Sequence, residues 1–593
     1  MPKHDDAARL GKARMKKICS LLLALALLSL TGCSPYLRPV AADYLGAANV
    51  SIPQQQPFHT DLSFDMLPDE LPNAALEIAR VRELKYRIEQ GELKGAAAKE
   101  AAKQREEAYR GIQTAEALAY VRYCSDVTDE TRRYAYDTLK VQAETLFALL
   151  TEVHLLLAQD PALSDAYDAE TVEQLRLADS LYDPSLEPLR AQERALLGDY
   201  EAAVKGFTIT AQGRTWTREQ ILSDPSLSYE SFKTLYEAFL NAYNTEVGTI
   251  FLKLIDVRNR IAQSCGYPSY AEYAYARYDR DYTTSDTAAL ASRIRTDIVP
   301  LFVDRMDEVY LAQLRLSCGV FSEGPTLARV AETVGTLLPE LQEPWTYMVS
   351  HGMLDCSASE NRMQGSFTTY FTSYGAPFLF STWDDSYGMV STLLHEFGHY
   401  ASYYRNGEAA SASLDLCEID SQGMELLAVA EYDRLYGALA DAARTANLFA
   451  ALYVLLSGCM EDAFQQYAYR TEGVTLAQLN AEYGRLCEAY GLSELGLDAL
   501  SWTEIPHTFQ SPLYYISYSV GMLTAWELFI MAETDRTAAL DAYRAISTRQ
   551  TGTKHRESLR GAGLTDPFDA NACATLLDRI ASVLKEDREG MGT

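Results

Sequence analysis

The sequence is poor in positive charge, in histidine and in closely spaced cysteines, and two of these shortages exclude classes of protein. Its 593 residues include 52 Lys and Arg against 82 Asp and Glu, which gives a net charge of −30 at pH 7. Because this excess of negative charge repels polyanions, we expect no nucleic acid among the partners. The 10 cysteines include no CxxC pair, which argues against a structural zinc ribbon and a thioredoxin-like site.

Two of the 8 histidines belong to the motif His395-Glu396-Phe397-Gly398-His399. Residues 390–404 contain no proline and no glycine besides Gly398, so the pattern predicts a helix through the motif. Residues four positions apart share one face of a helix, so both imidazoles can bind a single Zn²⁺. Glu396 is then placed to accept a proton from metal-bound water, which is the general-base role of the HExxH motif.

A catalytic zinc site has three protein ligands and one open position, so a third ligand is needed. Glu418 is the best candidate, because a turn signal at residues 405–408 separates the motif helix from a second helical pattern that contains it. Cys417 is a competitor, although its side chain should point away from that of Glu418. On the second helix we expect three residues to orient a ligand histidine, with an ordinary polar face as the alternative: Ser421, Gln422 and Glu425.

The N-terminus resembles a bacterial lipoprotein signal. A basic stretch precedes the apolar run from Ile18 to Leu30, which is short for a membrane span and ends at Leu30-Thr31-Gly32-Cys33. We expect cleavage after residue 32 and a lipid on Cys33, which would anchor an extracytoplasmic protein to a bacterial membrane. Whether Met1 or Met15 is the start stays open, and a buried N-terminal helix with an incidental cysteine is the alternative.

The rest of the chain is predicted to be mostly α-helical. After the signal peptide (1–32) and a tether (33–69), residues 70–200 are rich in helix-forming Ala, Glu, Leu and Lys. A hairpin around the Gln212-Gly213 turn places a boundary near residue 200, and residues 201–590 form the predicted catalytic region. Residues 361–382 contain two short aromatic segments, which predict a small β-sheet just before the motif helix.

Several separate segments resemble the oligoendopeptidase F branch of the oligoendopeptidase F and thimet oligopeptidase family. The motif and the Glu418–Gln422 segment are similar to the family's HE(F/L)GH and ExxS. Residues 266–273 are similar to GYxxYAEY, and residues 505–521 to IPHxxxxPxYxxxYxxG. The resemblance covers residues 200 to 590, and it departs at Ser402, where the family often extends its motif to HExGHxxH.

The resemblance implies a zinc peptidase with a mostly helical, two-lobed ellipsoid and a deep channel for short unstructured peptides. One Zn²⁺ would be bound by His395, His399 and Glu418. A family edge strand that pairs with the substrate maps to Gly375 and Ala376, for which an aromatic core strand is the alternative. The matched 505–521 segment implies His507 and Tyr518 as donors to the oxyanion, and two further tyrosines on the substrate side: Tyr514 and Tyr515.

Two other functions stay open at this point. A peptidyl-dipeptidase would use the same chemistry, but it needs a cationic group for the free C-terminal carboxylate, and the sequence does not locate one. A lipoprotein that captures peptides without cleaving them is the second alternative. Glu396 argues against capture, because binding alone needs no general base.

Overall fold

The computed structural model describes residues 58–68, 71–181, 184–211, 213–411, 413–550 and 552–591. Helices make up most of these residues and the two sheets are small, so the mostly α fold class is confirmed. The expected signal peptide, the lipidation residue Cys33 and residues 34–57 of the tether lie outside the described residues. The eight cysteines within the described ranges are free thiols: Cys124, Cys265, Cys318, Cys356, Cys417, Cys459, Cys487 and Cys573.

Five helices form the N-terminal region. They are α1 (Ala74–Glu89), α2 (Gly95–Ser125), α3 (Glu130–Leu157), α4 (Ala169–Leu181) and α5 (Glu187–Gly206). Helices α1, α2 and α3 pack against one another, and the start of α3 is capped by the Asp129 carboxylate, which accepts from two backbone N–H groups. Helix α5 runs without a break across residue 200, where the sequence had suggested a boundary.

The hairpin predicted after this region is present. Strands β1 (Ile209–Ala211) and β2 (Arg214–Trp216) pair in antiparallel fashion. The helices that follow are α6 (Arg218–Ser223), α7 (Tyr229–Ser264), α8 (Tyr270–Arg277), α9 (Thr284–Asp297), α10 (Val299–Asp304), α11 (Met306–Leu316), α12 (Glu323–Leu337) and α13 (Gln342–Ser350). Helix α7 packs on α5 and thereby joins the N-terminal helices to the rest of the fold.

A three-stranded sheet precedes the motif helix, as predicted. It contains β3 (Leu354–Asp355), β4 (Ser366–Phe371) and β5 (Ala376–Ser381) in the order β3-β5-β4. Gly375 and Ala376 were expected in an edge strand. Strand β5 stands between β3 and β4 in the strand order, although β3 pairs only with Leu379 and Phe380 of β5. Strand β3 pairs with the second half of β5, where Leu354 is opposite Leu379. Because β3 has only two residues, the sequence carries too little strand pattern to predict it.

The C-terminal half of the chain supplies the helices around the site. They are α14 (Gly388–Asn406), α15 (Leu414–Leu427), α16 (Tyr432–Tyr436), α17 (Ala440–Arg470), α18 (Leu476–Ala489), α19 (Pro506–Gln510), α20 (Ile516–Thr534), α21 (Arg536–Ile546), α22 (His555–Gly561) and α23 (Ala570–Met591). Helix α20 is buried on all sides from Ile516 to Ile530 and packs on α15 and α17. The stretch Leu414–Arg470 is apolar and long enough to cross a membrane by composition, but most of it is buried in this core.

Candidate metal centre

Two neighbouring helices bring the predicted metal ligands together. Helix α14 carries His395 and His399, and α15 carries Glu418. One ligand atom from each residue lies within 4.8 Å of the others, and all three side chains are buried. A buried carboxylate requires a positive partner, and two imidazoles with one carboxylate form a donor set that suits Zn²⁺. The residues present therefore fit a divalent metal ion.

Glycines on two helices allow the ligand-bearing elements to approach this closely. A Cβ atom on Gly398 of α14 would lie 2.4 Å from the backbone oxygen of Asp420 on α15. On α20, a Cβ atom on Gly521 would lie 2.7 Å from the Cβ of Glu418. Both distances are well below van der Waals contact, so any larger residue would push α15 away from its neighbours. The position of Glu418 thus depends on these two glycines.

Each of two ligands is oriented by a second side chain. Nδ1 of His395 lies 2.7 Å from Oε1 of Glu425, which leaves Nε2 directed at the other ligands. The Tyr514 hydroxyl donates to Oε1 of Glu418 at 2.6 Å, and the Ser421 hydroxyl lies 3.4 Å from Oε2 of the same carboxylate. Glu425 therefore contacts a predicted ligand histidine, as expected, whereas Ser421, which was also expected to orient a histidine, contacts the predicted ligand Glu418.

Gln422 makes no such contact with a metal ligand. Its side-chain oxygen has no hydrogen-bond partner within the part of the chain that the structure describes, although the residue is buried. The side chain lines a small cavity beside the site, together with His395, Glu425, Tyr432 and Asn447. Its expected role in orienting a ligand is therefore not visible in the geometry.

The electrostatics of the ligand group favour a cation. Burial acts to lower the pKa of His395, but the hydrogen bond to Glu425 and the charges of Glu425 and Glu418 outweigh it and raise the pKa to about 9. Carboxylates that stabilise a proton on His395 would stabilise a metal ion in the same way. Burial lowers the pKa of His399, helped by the charges on His395 and Arg549, so this imidazole is held in the neutral form that binds metals.

Glu396 is buried beside the ligands and is held by the sheet. The Thr368 hydroxyl, on β4, lies 2.8 Å from Oε2 of Glu396 and 2.9 Å from its backbone oxygen. Burial raises the pKa of Glu396 to about 7, although the charge on His395 and the hydrogen bond from Thr368 oppose the rise. A carboxyl group with a pKa near neutrality can both accept and return a proton, as a general base must.

The residues of the 505–521 segment form an aromatic cluster. Within this cluster, the Tyr518 hydroxyl lies 3.5 Å from Nε2 of His507. Helix α20 begins at Ile516, so Tyr514 precedes the helix and reaches Glu418 from the loop. The Tyr515 ring packs 5.1 Å from the His507 ring, so it also belongs to the cluster. All three tyrosines are buried.

Comparison with solved structures identifies the fold. One match, assigned as oligoendopeptidase F, has a TM-score of 0.75 at 23% identity and covers 88% of this chain and 99% of its own. PZ peptidase A with an inhibitor has a TM-score of 0.75 at 21% identity and covers 88% of this chain and 99% of its own. A Bacillus anthracis protein assigned as oligoendopeptidase F has a TM-score of 0.72 at 21% identity and covers 89% of this chain and 99% of its own. This is the oligoendopeptidase F fold. No family model and no curated protein matches the sequence.

Within the oligoendopeptidase F fold, this chain surrounds Ser402 with a buried polar network. Ser402 occupies the position at which the family's extended motif often has a further histidine. Its hydroxyl accepts from Nη2 of Arg549 at 2.9 Å, and Arg549 also pairs with Asp420 on α15. Asn406 donates to Ser402 as well, at 3.2 Å. The network links α14 to α15 and to the segment after α21.

Three features of the site were not predicted from the sequence. Thr368 and the contact of Tyr514 with Glu418 join segments that are 28 and 96 residues apart, and no local pattern signals such contacts. The third is the covering of Gly375, which was expected to face the substrate. Its carbonyl accepts a hydrogen bond from His59 at 2.7 Å, and the backbone of Phe58 lies against its Cα. A substrate could pair at Gly375 only if this contact opened, and the role of Gly375 and Ala376 in substrate binding stays a prediction.

Proposed function

We propose that the protein is a zinc-dependent endopeptidase that hydrolyses internal peptide bonds of short unstructured peptides. One observation carries the proposal: a buried His395, His399 and Glu418 group lies beside Glu396, whose pKa is raised to about 7, on a chain with the oligoendopeptidase F fold. When bound to this group, zinc would polarise both a water molecule and the scissile carbonyl.

Glu396 would move the proton in this reaction. Thr368 occupies its Oε2 and fixes the direction of the carboxylate. Oε1 is then the oxygen that accepts a proton from the attacking water, and the same carboxyl group passes the proton to the leaving amine. Because Glu396 is buried, the transfer takes place with bulk water excluded.

Tyr518 and His507 would stabilise the negative charge that develops on the carbonyl oxygen. Each can donate a hydrogen bond, and the two polar atoms lie 3.5 Å apart, so both can reach one oxygen once their own weak contact opens. Tyr515 packs on His507 and supports its ring. We assign Tyr514 a different task, because its hydroxyl is taken up by the carboxylate of Glu418.

The substrate backbone would pair with β4. Strand β4 forms an edge of the sheet, and its Thr368 touches Glu396, so a strand added there would pass beside the general base. An extended peptide that adds a strand to a sheet edge is a common mode of peptide recognition. This arrangement favours unstructured peptides, because only an extended chain can pair in this way.

A chelator experiment tests the proposal. The protein is incubated with excess chelator, and cleavage of an internally quenched peptide is measured before and after Zn²⁺ is returned in about equal amount to the protein. We expect cleavage to stop with the chelator and to return with zinc. Unchanged cleavage by protein from which the metal has been removed would contradict a metal-dependent reaction.

We further propose that a lipid on Cys33 anchors the protein to a bacterial membrane on the extracytoplasmic side. The support is the apolar run from Ile18 to Leu30, followed by Thr31-Gly32-Cys33. Fractionation of Cys33→Ser in the native host tests this, with Cys19→Ser inside the apolar run as the matched control. We expect only Cys33→Ser to lose its membrane attachment, and an unaltered attachment of this variant would contradict the proposal.

A further inference from the structure

Leu513 adopts a backbone conformation that side chains other than glycine rarely take. Its φ is 64°, in the left-handed region, and its side chain is fully buried. A branched residue persists in this region only where its surroundings impose it, and such positions concentrate at functional sites. Leu513 directly precedes Tyr514, whose hydroxyl contacts Glu418.

Three side chains from distant elements hold the turn around Leu513. The N–H of Leu513 donates to Oε1 of Gln465 at 2.6 Å. Its carbonyl accepts from Nη2 of Arg280 at 2.7 Å, and the preceding carbonyl of Pro512 accepts from the Tyr278 hydroxyl at 3.2 Å. Arg280 also reaches the Ser517 hydroxyl at 3.1 Å, so it joins the turn to the first residues of α20.

Arg280 is half-buried, and its charge is stabilised by the groups around it. Its guanidinium lies 4.5 Å, 5.1 Å and 5.7 Å from the ring centres of Tyr275, Tyr278 and Tyr282. Tyr275 donates to Asp462 at 2.7 Å and Tyr282 donates to Asp415 at 3.0 Å, which places both carboxylates around the same cation. An arginine that lies against three aromatic rings and near two carboxylates is a fixed group from which a turn can be held.

We propose that Arg280 is a positioning residue of the site, which holds the strained turn at Leu513 so that Tyr514 stays on the metal ligand Glu418. The inference rests on the proposed peptidase function and deepens it. The path has three steps on adjacent groups: Arg280 to the Leu513 carbonyl, the peptide that follows to Tyr514, and the Tyr514 hydroxyl to Glu418. The same turn leads into the helix that carries Tyr518.

A double-mutant cycle tests the proposal. We compare Arg280→Met, Leu513→Gly and the double variant with the wild type, and measure kcat, KM, the rate of zinc loss to a chelator and Tm. Arg280→Met should lower kcat about 10- to 100-fold with KM changed less than about threefold, because the groups that it displaces act on the transition state. Zinc loss should be about tenfold faster. In the Leu513→Gly background the effect on kcat should be smaller, because glycine adopts this φ without strain.

Arg258→Met is the matched control. Arg258 is more deeply buried than Arg280 and also donates to a carbonyl of this segment, that of Phe509 at 2.5 Å, but no hydrogen bond within the described residues joins it to the turn at Leu513. A purely structural role for Arg280 predicts that both variants lower Tm alike and that neither couples to Leu513→Gly in kcat or zinc loss. That result, or a kcat of Arg280→Met within about twofold of the wild type, would overturn the inference.

Arg280→Lys keeps the experiment informative if Arg280→Met does not fold. Lysine retains the charge and can donate to the Leu513 carbonyl, so this variant should fold. Its kcat should fall about threefold to tenfold below that of the wild type, which is a smaller loss than the one expected for Arg280→Met. A kcat equal to that of the wild type would argue against positioning by the planar guanidinium. Absence of cleavage by the wild type would instead refute the proposed function, and the rate of zinc loss would still test the role of Arg280.

Discussion

Glu396 is the residue on which the proposed chemistry depends most. Burial favours its neutral form, whereas the charge on His395 and the hydrogen bond from Thr368 favour the carboxylate. The balance leaves its pKa at about 7, where both forms are populated near neutral pH. One substitution tests whether Glu396 is the general base, and a second tests whether Thr368 orients it.

Glu396→Gln should retain zinc and lose nearly all turnover. The amide preserves size and leaves the three metal ligands in place, but it cannot accept a proton. We expect kcat to fall by at least about 10²- to 10⁴-fold, with the zinc content of the purified protein unchanged. Kinetics and metal analysis on the same sample check this, and substantial remaining turnover would show that another group is the base.

Thr368→Val tests the orientation of that base. Valine fills nearly the same space but removes the hydroxyl that lies 2.8 Å from Oε2 of Glu396. We expect kcat to fall about tenfold with little change in KM. Thr369→Val is the matched control, because successive residues of a strand point to opposite faces of the sheet. Equal effects of the two substitutions on kcat would mean that the loss comes from the strand and not from Glu396.

Sequence reasoning located the site residues whose arrangement follows from local helix geometry. His395 and His399 share a helix face because they are four positions apart, and Glu425 follows Glu418 by two turns. Sequence reasoning did not predict which hydroxyls contact Glu396 and Glu418. Those belong to Thr368 and Tyr514, and their positions depend on how a strand and a loop pack against the two helices.

At the scale of elements, the site depends on the spacing of helices α14, α15 and α20. Gly398 and Gly521 face α15 from its two neighbours, and a Cβ atom on either would meet α15 atoms at 2.4 Å and 2.7 Å. These glycines thereby set where Glu418 stands relative to His395 and His399. The motif signals Gly398 in the sequence, but the reason for the glycine becomes visible only in the packing.

Gly398→Ala should weaken metal binding although alanine favours helices. Its Cβ would meet backbone atoms of Asp420 and Ser421, which cannot rotate away as a side chain could. We expect zinc affinity to fall about 10- to 100-fold, and activity with it. Gly388→Ala, at the first residue of the same helix, is the control, since the nearest atom is a serine hydroxyl at 3.4 Å. Equal zinc affinities of the two variants would contradict the role of close packing.

Helices and hairpins were predictable where the sequence carries a repeated pattern. The order of strands in a sheet was less predictable, because it depends on which strands pair. The long helices and the β1–β2 hairpin follow from periodicity and from turn residues. The place of β5 between two strands does not follow from the sequence, because its neighbour β3 is only two residues long and carries no strand pattern. The positive φ of Leu513, three residues before α20 begins at Ile516, carries no signal in the sequence either.

At the scale of the whole molecule, the helical fold places the site among buried side chains. Glu396 and the three ligands are at most 5% exposed. A site this enclosed admits an extended chain more readily than a folded surface. By its sign, the net charge of −30 would repel polyanions and would favour cationic peptides over long range.

The enclosure predicts selection by size and by folding of the substrate. Peptides of about 5 to 20 residues should be cut internally, while the same sequence in a loop of a stable protein should resist. The comparison is kcat/KM for one cleavable sequence in the two settings. Comparable values would contradict a closed site and would favour a protease with an open cleft.

The central claim is that this metal site cleaves internal bonds of peptides. Mass spectrometry of the products of a mixed peptide library tests it most directly, with the wild type and with Glu396→Gln under the same conditions. We predict internal fragments from the wild type and intact peptides from the variant. Release of C-terminal dipeptides alone would indicate a peptidyl-dipeptidase, and intact peptides in both samples, with zinc bound, would contradict the account.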